Sequence, residues 1–154
     1  MALYEPVSSR RRIAGQLLYF CSWLAITAVG AYLHASPTGH GTHEELGLPP
    51  CPSALFFSRP CPGCGLTTSW TAFIHGDFAF AFHAHPLGPF LYLAFTATAF
   101  MALRGWIRSE RMSTDTPQFN RALMILAVVF LSFGIVRMAT TSNYRSLQDI
   151  AAMK

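Results

Sequence analysis

Three apolar runs set the limits on this fold. The first, "IAGQLLYFCSWLAITAVGAYL" from Ile13 to Leu33, carries no acidic or basic residue. That is close to the ~20 residues a helix needs to cross a bilayer core of roughly 30 Å. A second run, "LGPFLYLAFTATAFMALRGW", extends from Leu87 to Trp106, and a third, shorter one, "ALMILAVVFLSFGIV", starts at Ala122 and has Arg137 near its far end. Backbone amides in hydrocarbon must bond within their own segment, so runs of this length fold as helices. Charged residues make up only 12% of the 154-residue chain, 52% is apolar and the mean hydropathy is +0.35, against a charged share of about 25% in soluble domains. The fold class expected is an all-α integral membrane protein, a single membrane domain over residues 1–154 with three transmembrane helices and short interfacial helices after a Cys-rich outer loop. The basic residues before the first run and its Val-Gly-Ala would suit a secretory signal, but the run exceeds the usual signal core and reads as a retained anchor.

The segments between the runs divide naturally. Residues 1–12 form a cytoplasmic tail, 13–33 the first span, 34–64 an outer loop rich in Cys, His and Pro, and 65–85 the interfacial helices. Residues 87–106 are the second span, 107–121 a cytoplasmic connector, 122–138 the third span and 139–154 a tail. In "GLTTSWTAFIHGDFAFAFHAHP" the apolar and aromatic residues are broken by His75, Gly76 and Asp77, which predicts two short helices hinged at Gly76. A fourth span there would carry His75 and Asp77 into the bilayer and leave almost no turn before Pro86. Arg10, Arg11 and Arg12 belong with Arg104, Arg108, Arg111 and Arg121, so the positive-inside rule puts the amino terminus and the second connector in the cytoplasm and the cysteine loop outside. The net charge of +4 comes from clusters flanking apolar runs, without the interleaved aromatics of a strand-binding groove, and nucleic acid is not an expected partner.

Among the four cysteines, Cys61 and Cys64 stand in "RPCPGCG" with Cys51 in the same loop, while Cys21 lies inside the first span as a small packing residue. The spacing allows three chemistries. As a zinc knuckle, two thiolates converge on an ion across a tight turn with Gly65 after the second. Cys51 and a histidine, with His75 the foremost candidate beside His34, His40, His43, His83 and His85, would complete it. As a thiol-disulfide oxidoreductase, Cys61 at a helix start would attack, Cys64 would close the pair and Cys51 would relay electrons. As a staple, Cys51 would form a structural disulfide with Cys61 or Cys64 in an oxidising compartment.

Ionisable residues near the membrane boundary are costly and tend to be paired or functional. Asp77 and Arg137 fall toward the same outer face, where they would form an ion pair. Otherwise Asp77 caps the second short helix and Arg137 snorkels. His83 and His85, two residues apart, need a bent backbone to share an ion. The aromatics Trp70, Phe73, Phe78, Phe80 and Phe82 suit interface anchoring, or a flat cofactor. No Ser-His-Asp set, phosphate-cradling loop or carboxylate pair points to hydrolysis or transfer.

The stretch "CPSALFFSRPCPGCGLTTSWTAFIHGDFAFAFHAHPLGPF" resembles a family of small bacterial membrane proteins carrying a domain of unknown function. The likeness rests on Cys51, Cys61, Pro62, Cys64, Gly65, Leu66, Thr67, Gly76, Asp77, Ala81, His85 and Pro86, and on Arg137 in the late "FGIVRM". The family's usual Arg after Leu-Thr is replaced by Thr68, so any role of that Arg is absent or taken over, with Arg59 the nearest substitute. The resemblance implies membrane residence and a bacterial origin, and supplies no reaction.

The expected function is a non-enzymatic accessory or assembly subunit of a larger complex in the bacterial inner membrane, partnered by other membrane subunits. Its outer loop, periplasmic or extracellular, would be fixed by Cys51, Cys61 and Cys64 through a disulfide or a metal such as zinc. The alternatives are the membrane thiol oxidoreductase and a carrier of a soft metal, zinc or copper. The small residues Gly30, Ala94, Ala97 and Gly134 are expected where helices approach closely.

Overall fold

The computed structural model describes residues 4–6, 13–113 and 116–141. Arg10, Arg11 and Arg12, and the tail from residue 142 onward, lie outside the described residues. Three helices are long and apolar enough to cross a membrane: α1 (Ala14–Tyr32), α5 (Gly88–Arg108) and α6 (Pro117–Thr140). Between α1 and α5 come a 3-10 turn (Thr42–Leu46) and three short helices, α2 (Pro52–Phe57), α3 (Leu66–Ile74) and α4 (Phe78–Ala84). The chain between α3 and α4 reverses at Gly76, whose φ of 84° suits a residue without Cβ. The two helices therefore stay separate, as the interrupted pattern predicts, and no fourth span forms.

The loop expected to be irregular from 34 to 64 is more ordered than its composition suggests, holding the 3-10 turn and α2. Helix α6 starts earlier than the expected Ala122, because Thr116 caps it by accepting a hydrogen bond from the Phe119 amide (3.3 Å) and Pro117 fills the first turn. Two three-residue strands were not anticipated: β1 (Tyr4–Pro6) pairs antiparallel with β2 (Glu110–Met112), Tyr4 opposite Met112. This ties the chain before α1 to the chain after α5 at one end of the helices, leaving the cysteine loop at the other.

The main seam runs between α1 and α5. Gln16, Tyr19, Trp23 and Thr27 follow one another at helical spacing on α1. Tyr19 bonds Thr98 (2.8 Å), Trp23 Nε1 donates to Thr96 Oγ1 (3.0 Å) and Thr27 meets the Tyr92 hydroxyl (3.0 Å). Gln16 Nε2 donates to the carbonyls of Ala102 and Glu110, and its Oε1 accepts from the Met112 amide. Polar groups that would be costly in hydrocarbon thus satisfy one another across the helix pair. The small residues buried on α5 are Gly88, Ala99, Ala102 and Gly105, whereas Ala94 and Ala97 are exposed. Gly30 is buried against Ile74 and Gly134 against Pro62, as close-approach positions. Cys21 faces outward from α1 rather than packing.

Helices α3 and α4 lie across this seam at the cysteine end. Trp70 donates to the Gly88 carbonyl (2.9 Å) and its ring packs on Tyr92 and Phe95, while Phe73 meets Tyr92 edge-on. These two half-buried aromatics pack on the start of α5. Phe78 and Phe82 remain exposed.

Candidate functional site

The turn around "CPGCG" is built by two successive backbone bonds, Cys64 N to Cys61 O and Leu66 N to Gly63 O, each 3.0 Å. Gly65 closes it at φ 83°, where a Cβ would stand 2.5 Å from the Ala84 carbonyl oxygen and 2.8 Å from that of Gly39. Only glycine lets the turn slide between the end of α4 and the 39–41 loop. Cys51 stands immediately before α2. The result is that Cys51, Cys61 and Cys64 bring their sulphurs within 4.8 Å of one another. No disulfide joins any two of the four cysteines in this arrangement.

The three thiols differ in acidity because they share one site. Burial raises Cys51, but hydrogen bonds from the Ala54 and Ser53 backbone and from the Cys61 and Cys64 thiols outweigh it, bringing it below the ordinary value. Burial raises Cys61, and the neighbouring Cys51 adds to this against a hydrogen bond from the Gly63 backbone. Cys64 is pushed up to about 12, chiefly by burial and then by charge on Cys61 and Cys51. Cys51 is therefore the first of the three to ionise, and a bound cation would favour loss of the remaining protons. The attacking role expected of Cys61 in an oxidoreductase would on this ordering fall to Cys51.

A cavity of about 300 Å³ adjoins the sulphurs and is lined by His40, His43, Glu44 and the three cysteines. His75, the foremost sequence candidate for a fourth ligand, is elsewhere: its Nε2 lies 3.1 Å from the Leu33 carbonyl, and it shares a separate depression with His34 and Asp77. His83 is exposed and stacked on Phe80, whereas His85 is fully buried against Phe130 and Phe133 of α6. The two histidines diverge and share nothing. His85 Nε2 donates to the Pro62 carbonyl (3.1 Å), and burial, with the Arg137 charge, keeps its pKa below the ordinary value.

Asp77 and Arg137 do not meet. Asp77 caps α4 by accepting from the Phe80 amide (3.0 Å), and Arg137 donates to the carbonyls of Cys64 (2.7 Å) and Ala84 (3.3 Å). Asp77 is committed to the start of α4, and the Cys64 and Ala84 carbonyls are the acceptors that lie within reach of the guanidinium. Arg59 does not replace the missing Arg at the knuckle; it donates to Met138 and Ala139 carbonyls in the last turn of α6. Thr68, at the departing position, is completely buried and shares a 2.8 Å hydrogen bond with Thr42.

Residues 51–99 match the family described as Protein of unknown function (DUF2752). The DUF2752 segment thus contains the three cysteines, α3, α4 and the first half of α5, and ends before α6, so Arg137 reaches into it from outside. No curated protein and no solved structure matches the chain.

Proposed function

We propose that this chain is a small accessory or assembly subunit of a membrane complex, whose outer lobe is held in shape by a soft metal ion on Cys51, Cys61 and Cys64. The single observation carrying this reading is the convergence of the three sulphurs within 4.8 Å. A tetrahedral zinc with Zn–S near 2.3 Å needs sulphurs about 3.8 Å apart, a spacing that falls inside that bound. Thiolate ligands select zinc or copper(I) over hard cations. Bound there, the ion would join α2 to the start of α3, and through Arg137 to the end of α6. The site lies in the bacterial inner membrane's outer face under this reading, with the amino terminus cytoplasmic.

The test is intact mass of protein from native membranes, alkylated rapidly after unfolding in chelator without reductant, beside metal analysis of the untreated sample. Four labels with one equivalent of metal support the reading. Two labels, with no metal, overturn it in favour of a disulfide, and peptide mapping then separates a Cys51 staple from a redox pair. For the subunit role, native electrophoresis should find the chain in a larger assembly that is lost in Cys61→Ser; an isolated monomer throughout counts against it.

The thiol oxidoreductase is the second reading, and the lowered pKa of Cys51 favours it specifically. It requires Cys51 to form a mixed disulfide with a substrate, trapped when Cys61 is replaced by Ser.

A further inference from the structure

The segment leading to the cysteine turn leaves four large apolar side chains uncovered: Leu46, Leu48, Phe56 and Phe57, the two phenylalanines 79% and 66% exposed. Single exposed apolar residues are ordinary. These fall in two pairs, and each pair stands beside the end of a helix long and apolar enough to span a bilayer.

Leu46 closes the 3-10 turn, which is tied to the end of α1 because the His34 amide donates to Glu45 Oε2 (3.2 Å). It also lines an apolar groove of about 240 Å³ together with Ile26 and Val29 of α1. Those two residues are exposed themselves, so the apolar surface of the span continues onto the turn. Leu48 follows two residues later.

Phe56 and Phe57 end α2. Two residues on, Arg59 donates to the carbonyls of Met138 (3.0 Å) and Ala139 (3.4 Å), in the last turn of α6. Two residues of chain reach at most about 7 Å, so Phe57 is held close to the point where α6 ends. Ala54 of the same short helix is buried and lines the cavity beside the cysteines. Helix α2 therefore has a protein side and an uncovered aromatic side.

We propose that the cysteine lobe is seated on the lipid surface, with Phe56 and Phe57 beside α6 and Leu46 and Leu48 beside α1 entering the headgroup and acyl boundary. The ends of both spans mark the level at which that boundary passes. Aromatic rings with a basic residue close by are the side chains this level favours, and Arg59 is exposed there. A lipid surface meets both pairs at once, because it surrounds α1 and α6 alike. Cys51 directly precedes α2, so the helix that carries the phenylalanines begins at the thiol cluster. The cluster then works at the membrane surface whatever occupies it, and the proposal stands apart from the metal reading.

The experiment places the photoreactive aromatic p-benzoylphenylalanine singly at Phe57 and at Leu46 in the full chain, in its host membrane. Ile125, exposed within α6, receives the same probe as the reference for contact with lipid. Irradiation followed by intact mass and gel mobility separates phospholipid adducts from adducts to protein. Phospholipid adducts at Phe57 and Leu46, as at Ile125, are the expected result. Adducts chiefly to another protein or to a second copy would overturn the proposal and make this face a subunit contact. No adduct at Phe57 while Ile125 reacts would also overturn it, leaving the phenylalanine in water. No phospholipid adduct at Ile125 would overturn the membrane placement of α6 and the proposal with it. A check free of substitutions uses phenylalanine-labelled protein in bicelles, where nitroxide-bearing lipid should broaden the Phe56 and Phe57 signals; unbroadened signals would overturn the seat on lipid.

Discussion

The Arg137 guanidinium lies 2.7 Å from the carbonyl oxygen of Cys64, a bond that joins the last membrane helix to the cysteine turn. Hydrogen bonds from a charged donor contribute about 1.5–3 kcal/mol each, and Arg137 also reaches Ala84. Arg137→Gln should lower stability by roughly 3 kcal/mol. Arg137→Lys should recover little, because an ammonium lacks the planar fork that spans two carbonyls. Thermal unfolding in detergent, followed by helicity, measures both; a full recovery by Lys would show that charge alone matters.

Gly65 and Gly63 give a paired test two residues apart. A Cβ on Gly65 would strike two backbone carbonyls that cannot swing away, whereas one on Gly63 meets nothing within 4 Å. Gly65→Ala should cost about 3 kcal/mol or more and abolish metal retention, and Gly63→Ala should leave both close to wild type. Comparable losses in the two variants would contradict the packing described at Gly65.

The ordering of the thiols should be visible in their reactivity. In chelator-treated folded protein, iodoacetamide should label Cys51 fastest, then Cys61, and Cys64 last, following the fraction of thiolate at each. Rates from mass spectrometry of the labelled peptides check the order, and added zinc should slow all three. Equal rates would contradict this order of acidity.

Thr68→Arg restores the residue usual at that point in the resembled family, and it should fail here. Thr68 is fully enclosed and bonded to Thr42, so the longer charged side chain must break that bond and lose water as it enters the packed start of α3. We expect a loss of about 3 kcal/mol, read as a lowered unfolding temperature. Unchanged stability would mean that the 3-10 turn moves aside freely.

His85 should make stability fall in mild acid. Its ring is neutral in the folded protein, with a pKa below the ordinary 6.5, so the unfolded chain binds its proton more readily. Stability is then full above that ordinary value and declines as pH falls below it, toward the folded pKa. Melting temperatures from about pH 8 to about pH 5 should show this decline, and His85→Gln should flatten it.

The spans and the break at Gly76 were legible because length, polarity and a backbone-permissive residue act locally. The seam of Gln16, Tyr19, Trp23 and Thr27 was present in the sequence as a helical stripe, but its partners Thr96, Thr98 and Tyr92 depend on the register of a second helix. The convergence of Cys51 with Cys61 and Cys64 followed from their shared loop. Which histidines line the adjoining cavity did not, because His40 and His43 arrive by the path of the loop before α2 while His75, closer in sequence to Cys64, is carried away on the far end of α3. The ion pair expected between Asp77 and Arg137 failed because charge names a suitable partner without saying which carbonyls lie nearer.

Helix α6 is fastened near its carboxyl-terminal end, by Phe130, Phe133, Gly134 and Arg137. Lower down, Ala122, Leu123 and Leu126 face Leu91, Phe95 and Thr98 of α5 across an open apolar groove of about 320 Å³. Among helices long enough to span a bilayer, acyl chains would fill that groove and complete the packing that the protein leaves unfinished. The tilt of α6 is then set jointly by a protein clasp at the surface and a fluid wedge at depth, and the thickness and unsaturation of the host membrane become part of this molecule's conformational energy.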